Sequence, residues 1–148
     1  MKILSYNWRG FASNPKKLAL RRLLSLAHLD IIFLQETLCP ADTLIPIFKT
    51  WLPNWTFFAL DAAGRSGGLA IGINNKALRL KNTWRGRGYI GIDAYARSLE
   101  LDLRLINVYG PCTDRATFWN SLLGSALLSE DNIIMGGDLN FTLGFCES

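Results

Sequence analysis

The sequence holds one histidine, three cysteines and five prolines in 148 residues. A lone histidine, His28, excludes a zinc centre built on several imidazoles. Cys39, Cys112 and Cys146 are scattered, odd in number and without a CxxC pair, so no disulfide framework is expected and free thiols in a reducing compartment are. Long apolar runs are also missing. The most apolar stretch, Leu23–Leu34, is interrupted by His28 and Asp30 and is too short to cross a bilayer. Asn7 and Arg9 break up the apolar start of the chain, so no secretory leader is expected. There is no linker, repeat or low-complexity segment, and residues 1–148 read as one domain.

What is present is apolar content: 49% of the residues are hydrophobic, enough for a substantial core. The net charge of +4 permits a polyanionic partner without demanding one. Lys2–Tyr6 reads as a strand. Asn14-Pro15 opens a helix whose apolar side is Leu20, Leu23, Leu24 and Ala27, closed by a structural His28. Asp30–Leu34 is a strand covered on both faces. Asp42 or Thr43 caps a second helix carrying Leu44, Ile45, Phe48 and Trp51. Trp55–Leu60 and Gly68–Ile73 read as strands separated by a loop, Asp61–Gly67, with a turn at Asn74-Asn75. Tyr89–Ala96 and Leu99–Val108 form a hairpin around Arg97-Ser98, its second arm alternating leucines with charged residues. Asp114 caps a last helix carrying Phe118, Trp119, Leu122, Leu123 and Leu127. Ile133–Met135 is a short buried strand ended by Gly136 and Gly137. Strands mixed with a few helices indicate an α/β or α+β fold with helices covering a sheet.

The chemistry gathers where these strands stop. Asn7, Glu36, Tyr109, Asp138 and Asn140 each lie at or just past the C-terminal end of an expected strand. Taken singly, Asn7 is a turn amide, Glu36 a surface carboxylate, and Gly-Asp-Asn an ordinary turn. Taken together, polar groups at strand ends are where sheet proteins place their sites. Alternation puts Asp138 and Asn140 on one side of the chain. Oxygen donors without histidine or cysteine suit a hard cation such as Mg²⁺. Lys76, Arg79, Lys81, Arg85, Arg87, Arg97 and Arg104, interleaved with Trp84 and Tyr89, form either an ordinary basic surface or one facing a phosphate backbone. The candidate nucleic-acid contacts are Arg85, Arg87 and Arg115.

The ordered set SYNWRG, LQET, GGLAIG, NVYGP and GGDLN resembles the endonuclease/exonuclease/phosphatase superfamily. The spelling GGDLNFTL, with Arg9 after the first motif, is most similar to the endonucleases of plant long interspersed (non-LTR) retroelements. The resemblance implies a deoxyribonuclease I-like sandwich of two sheets with outer helices, and hydrolysis of DNA phosphodiesters with Mg²⁺, or Mn²⁺ in its place. It implies Glu36 and Asn7 for the metal, Tyr109 on the scissile phosphate, Asp138 to orient or deprotonate water, and Asn140 to position it. Some relatives carry an aspartate where Arg9 stands, which places more of the metal binding on Glu36. The family's later Ser-Asp-His motif has no counterpart before Ser148, so the expectation is a partial domain, roughly the first half to two-thirds. An inner sheet face without its partner, open strand edges and self-association are expected with it, and activity weak or lost. A DNA substrate implies an intracellular, nuclear setting. A non-catalytic remnant that binds nucleic acid and a phosphatase of the same superfamily are the alternatives.

Overall fold

A computed structural model of the chain describes residues 1–10, 13–63 and 66–140. Its elements run β1 (Ile3–Asn7), α1 (Asn14–Leu26), β2 (Ile31–Gln35), α2 (Ala41–Trp51), β3 (Trp55–Ala63), β4 (Ser66–Asn74), β5 (Leu78–Gly86), β6 (Tyr89–Ala96), β7 (Leu101–Tyr109), α3 (Arg115–Leu123) and β8 (Ile133–Asp138). A short 3₁₀ turn, Ala126–Ser129, follows α3. The strands form two four-stranded sheets, ordered β1-β2-β4-β3 and β5-β6-β7-β8. β1 runs parallel to β2, and β7 to β8, with a helix in each connection. A parallel pair needs such a crossover, because its second strand must return to the starting edge. The remaining neighbours are antiparallel.

The two sheets bury their apolar faces against each other. Ile31 and Phe33 of β2 and Ile71 and Ile73 of β4 meet Leu78, Ile90, Ile92 and Leu105 of the second sheet. The apolar residues of β7 divide as the strand period requires: Leu101, Leu103 and Leu105 face this core, while Ile106 and Val108 turn outward with Leu122 of α3. Ile32 and Leu34 leave the other side of β2 and pack under α1 and α2 with Leu20, Leu24, Leu44 and Phe48. β2 is therefore buried at all five positions, which is why it reads as an unbroken apolar run. Phe48 stacks on Phe57 at 4.6 Å and meets Trp8 and Trp51 edge-on.

The structure revises several expectations. The inner sheet face does not lack a partner: the two sheets close on each other, and what stays open is their edge strands, β1 and β3 on one sheet and β5 and β8 on the other. Ile3 and Tyr6 on the β1 edge are exposed and β8 is half-buried throughout. Asp61–Gly67 is not one loop, because β3 continues to Ala63 and pairs Ala62 with Gly67. β5 had no sequence signal: Arg79–Thr83 are exposed on an edge strand, so no apolar alternation marks it. The last helix stops at Leu123, which is exposed, and Leu127 sits in the following 3₁₀ turn. Leu23 of α1 also faces solvent, and His28 lies in the turn beyond that helix. None of Asn14, Asp42 or Asp114 caps with its side chain. Cys39 and Cys112 are free thiols, and Cys146 lies outside the described residues.

Phe48 is 0% exposed and Leu26 77%. Phe48→Ala should therefore cost about 3–5 kcal/mol of unfolding free energy and Leu26→Ala less than about 0.5 kcal/mol. Urea titrations of both variants check this; equal losses would mean the α2-side cluster is not packed as described.

Candidate active site

In both parallel pairs the strands end at the same level. Asn7 closes β1 and pairs with Gln35 of β2; Tyr109 closes β7 and pairs with Asp138 of β8. Glu36 is the first residue past β2. Since the two sheets face each other, these ends meet across the sandwich. The Asn7 side-chain amide donates to Asp138 Oδ2 at 2.7 Å and to Glu36 Oε1 at 3.2 Å. The Tyr109 hydroxyl donates to the same Glu36 oxygen at 2.9 Å. One carboxylate from each sheet is thus held by a donor from the other.

The local backbone is built to present these groups. Glu36 has a φ of +50°, a left-handed conformation that turns the chain sharply after β2. Its carbonyl accepts from the Gly10 N–H at 2.8 Å, and the next residue, Thr37, is buried and donates its N–H to the Gly68 carbonyl. A Cβ on Gly68 would stand 2.2 Å from Thr37 Oγ1, so only glycine lets β4 pass beneath this turn. Gly137, at φ +131°, has the same role on the other side: a Cβ there would meet the Val108 carbonyl oxygen at 2.0 Å. The glycine pairs in GGLAIG and GGDLN therefore set how closely the strands carrying Glu36 and Asp138 approach their neighbours.

Asp138 and Asn140 do come together, by a turn rather than by strand alternation. β8 runs through Gly136 and Gly137 to Asp138, and Asn140 takes a left-handed φ of +50°. The Asn140 N–H donates to Asp138 Oδ1 at 3.2 Å, and its side-chain amide donates to the Gly110 carbonyl at 2.5 Å. The Gly110 N–H in turn donates to the Asp138 carbonyl. Asn140 therefore ties the turn after Tyr109 to the Asp138 carboxylate.

The Tyr109 phenol is pushed up to about 12, first by burial and then by its hydrogen bond to Glu36 and the negative charge there. At neutral pH it stays protonated and keeps its O–H to donate. The buried Asn7 Oδ1 has no hydrogen-bond partner. A buried acceptor left open beside two carboxylates fits a hard oxygen-seeking cation. Among the described residues no group of three or more His, Cys, Asp or Glu side chains is placed to hold a metal.

The candidate nucleic-acid contacts lie at the same end. Arg85 and Arg87 are exposed at the tip of the β5–β6 hairpin, whose Gly88 carbonyl accepts the Tyr109 N–H. Arg115 is exposed at the start of α3 and donates to the Cys112 carbonyl. The wider basic surface is less free than its sequence suggests. Lys81 pairs with Asp102 and Arg104 with Asp93, both at 2.8 Å. Trp84 and Tyr89 are half-buried against the α3-side cluster rather than offered to solvent. The residues that sequence reasoning passed over are Gln35 and Asn107, buried amides one and two positions before Glu36 and Tyr109. Their only signal is polarity inside otherwise apolar strands.

Residues 4–145 match the model of the Endonuclease/Exonuclease/phosphatase family, and the chain belongs to that family. Comparison with curated proteins finds no match. Among solved structures it is similar to TDP2 of D. rerio complexed with a single-strand DNA product, at 16% identity and TM-score 0.73, covering 95% of this chain and 60% of that one. The endonuclease domain of TRAS1, a telomere-specific non-LTR retrotransposon, aligns at 14% identity and TM-score 0.69, with coverage of 95% and 61%. An AP endonuclease from Archaeoglobus fulgidus aligns at 18% identity and TM-score 0.69, with coverage of 95% and 57%. At such identities the likeness establishes the deoxyribonuclease I-like fold. The chain spans about 60% of the length of these structures.

A phenol that titrates near 10 when unfolded and near 12 when folded favours the folded chain fully below pH 10 and loses that contribution as pH rises toward 12. Tyr109→Phe should flatten this alkaline loss, and Glu36→Gln should lower the late-ionising phenol in part, with burial still holding it above its ordinary value. Absorbance titration of the tyrosines checks both; no phenol ionising above 11 in the unmodified chain would refute the assignment.

Proposed function

We propose that this chain carries the metal-binding and water-activating part of a Mg²⁺-dependent DNA phosphodiesterase of the retroelement endonuclease type. The observation that carries the reading is the cross-sheet cluster itself: Asn7 bridging Glu36 and Asp138, with Tyr109 on Glu36. Glu36 and Asn7 Oδ1 are the donors for Mg²⁺, with Mn²⁺ as a substitute. The cation, when bound, supplies positive charge to the phosphoryl and leaving oxygens. Asp138 accepts the proton of the attacking water, whose oxygen bonds to phosphorus in line as the bond to the leaving oxygen breaks. Asn140 holds the Asp138 carboxylate at its Oδ1, so the remaining lone pairs point into the site. Tyr109, protonated at neutral pH, donates to a non-bridging phosphate oxygen once Glu36 is engaged elsewhere. Arg85, Arg87 and Arg115 line the same rim and offer charge to the flanking backbone. GGDLNFTL supports the plant retroelement assignment, and a DNA substrate implies a nuclear setting.

Turnover by this chain alone should be slow. His28 is exposed in the turn before β2, at the opposite end of the strand from Glu36, so no imidazole faces the phosphate site. Losing one such stabiliser costs on the order of 100- to 1000-fold in rate. A second reading, binding without catalysis, is favoured by the exposed arginine rim, which needs no metal. Among the described residues no helix is long and apolar enough to cross a membrane.

Nicking of supercoiled plasmid by the chain and by Asp138→Ala, with Mg²⁺ and with chelator, separates the readings. Slow Mg²⁺-dependent nicking that disappears in the variant is expected. Binding without nicking, unchanged in Asp138→Ala, would overturn the catalytic reading in favour of the second. Arg87→Ala should weaken DNA binding uniformly across sequences and lower the slope of log K against log salt by about 1; an unchanged slope would remove Arg87 from the interface.

A further inference from the structure

Behind the site, polar groups also join the two sheets, beside the apolar core that fills the middle of their interface. Gln35 is 2% exposed and Asn107 0%. The Gln35 side-chain amide donates to Asn107 Oδ1 at 2.8 Å, across the sandwich, and to Ser5 Oγ of β1 at 3.3 Å. The Asn107 amide donates to two backbone carbonyls of the first sheet, Leu34 of β2 and Ala70 of β4, both at 2.9 Å. Asn107 thus spends both donor hydrogens and its acceptor on the opposite sheet. Apolar contacts are non-directional and let sheets slide, whereas these bonds have fixed lengths and angles. They lie one residue before Glu36 and two before Tyr109, and they reach β1 two residues before Asn7.

We propose that the Gln35–Asn107 pair is a positioning device that fixes the separation and register of the two sheets at the site, and so the cation-binding geometry of Asn7, Glu36 and Asp138. This rests on the metal reading above for its ligand, but not for its structural half. Neither residue touches substrate. Each acts through the strand end it anchors, as outer partners of metal ligands do.

The test compares the chain with Asn107→Leu, Gln35→Met and, as a core control of similar instability, Leu105→Ala. Mn²⁺ binding is followed by electron paramagnetic resonance. Hydrogen exchange of the Asn7 side-chain amide, held by Glu36 and Asp138, is followed by NMR without metal. In Asn107→Leu and Gln35→Met we expect the Mn²⁺ dissociation constant to rise about 10-fold or more and the Asn7 amide to exchange faster, with strand signals retained. Leu105→Ala should lose stability and leave both readings in place. If Asn107→Leu does not fold, Gln35→Met, which keeps chain length and volume, carries the same expectation. Unchanged affinity and exchange in a folded variant, or equal changes in Leu105→Ala, would overturn the proposal. If the unmodified chain binds no Mn²⁺, the metal reading fails while the Asn7 exchange still decides the positioning role.

Discussion

Two sheets with one apolar face each must cover those faces, and here they cover each other. Ile31, Phe33, Ile71 and Ile73 on one side and Leu78, Ile90, Ile92 and Leu105 on the other leave water no access to the interface. Once they are face to face, the parallel pairs β1–β2 and β7–β8 bring the same polarity of strand end to one rim. That juxtaposition is what lets an asparagine from residue 7 reach a carboxylate at residue 138. The helices complete the solution from outside, α1 and α2 on one sheet and α3 on the other, so each sheet is buried on both faces near the middle and thins toward its edges.

The site is held together by reciprocity between sheets. Asn7 and Glu36 belong to one sheet, Tyr109 and Asp138 to the other, and every hydrogen bond from a side-chain donor to a side-chain acceptor among them includes a partner that another bond also uses. Two carboxylates at close quarters tolerate each other because neutral donors stand between them. The arrangement leaves one buried acceptor, Asn7 Oδ1, open. A polar atom withdrawn from water without a partner is costly, and it is at sites built for a ligand that such a cost is carried.

The arginine rim and the basic surface behind it differ for a physical reason. Arg104 of β7 stands directly opposite Asp93 of β6, and Lys81 of β5 reaches over β6 to Asp102 of β7, each at 2.8 Å. Arg85 and Arg87 lie at a hairpin tip where no acidic strand neighbour stands opposite: Arg85 pairs with Ile90. Sequence counts both sets as one basic excess. Pairing across the sheet decides which charge stays free for a polyanion.

Asn7, Glu36, Tyr109, Asp138 and Asn140 were legible in the sequence because a polar residue directly after an apolar run marks a strand end, and motif order joined them into one site. The strands β2, β4, β6 and β7 were legible for the same reason: burial imposes a pattern on the residues that undergo it. β5 was not, since an edge strand facing solvent carries no such pattern. Gln35 and Asn107 were not either, because polarity inside a strand does not say what it will face. Whether the sheets would find a partner for their inner faces, which groups share the Asn7 amide, and which arginines remain unpaired depend on contacts between residues tens of positions apart. Local sequence determined the elements and the chemistry at their ends, through short-range periodicity and turn preference. Only the tertiary structure decided who meets whom, because that follows from the register of two sheets closing over one core.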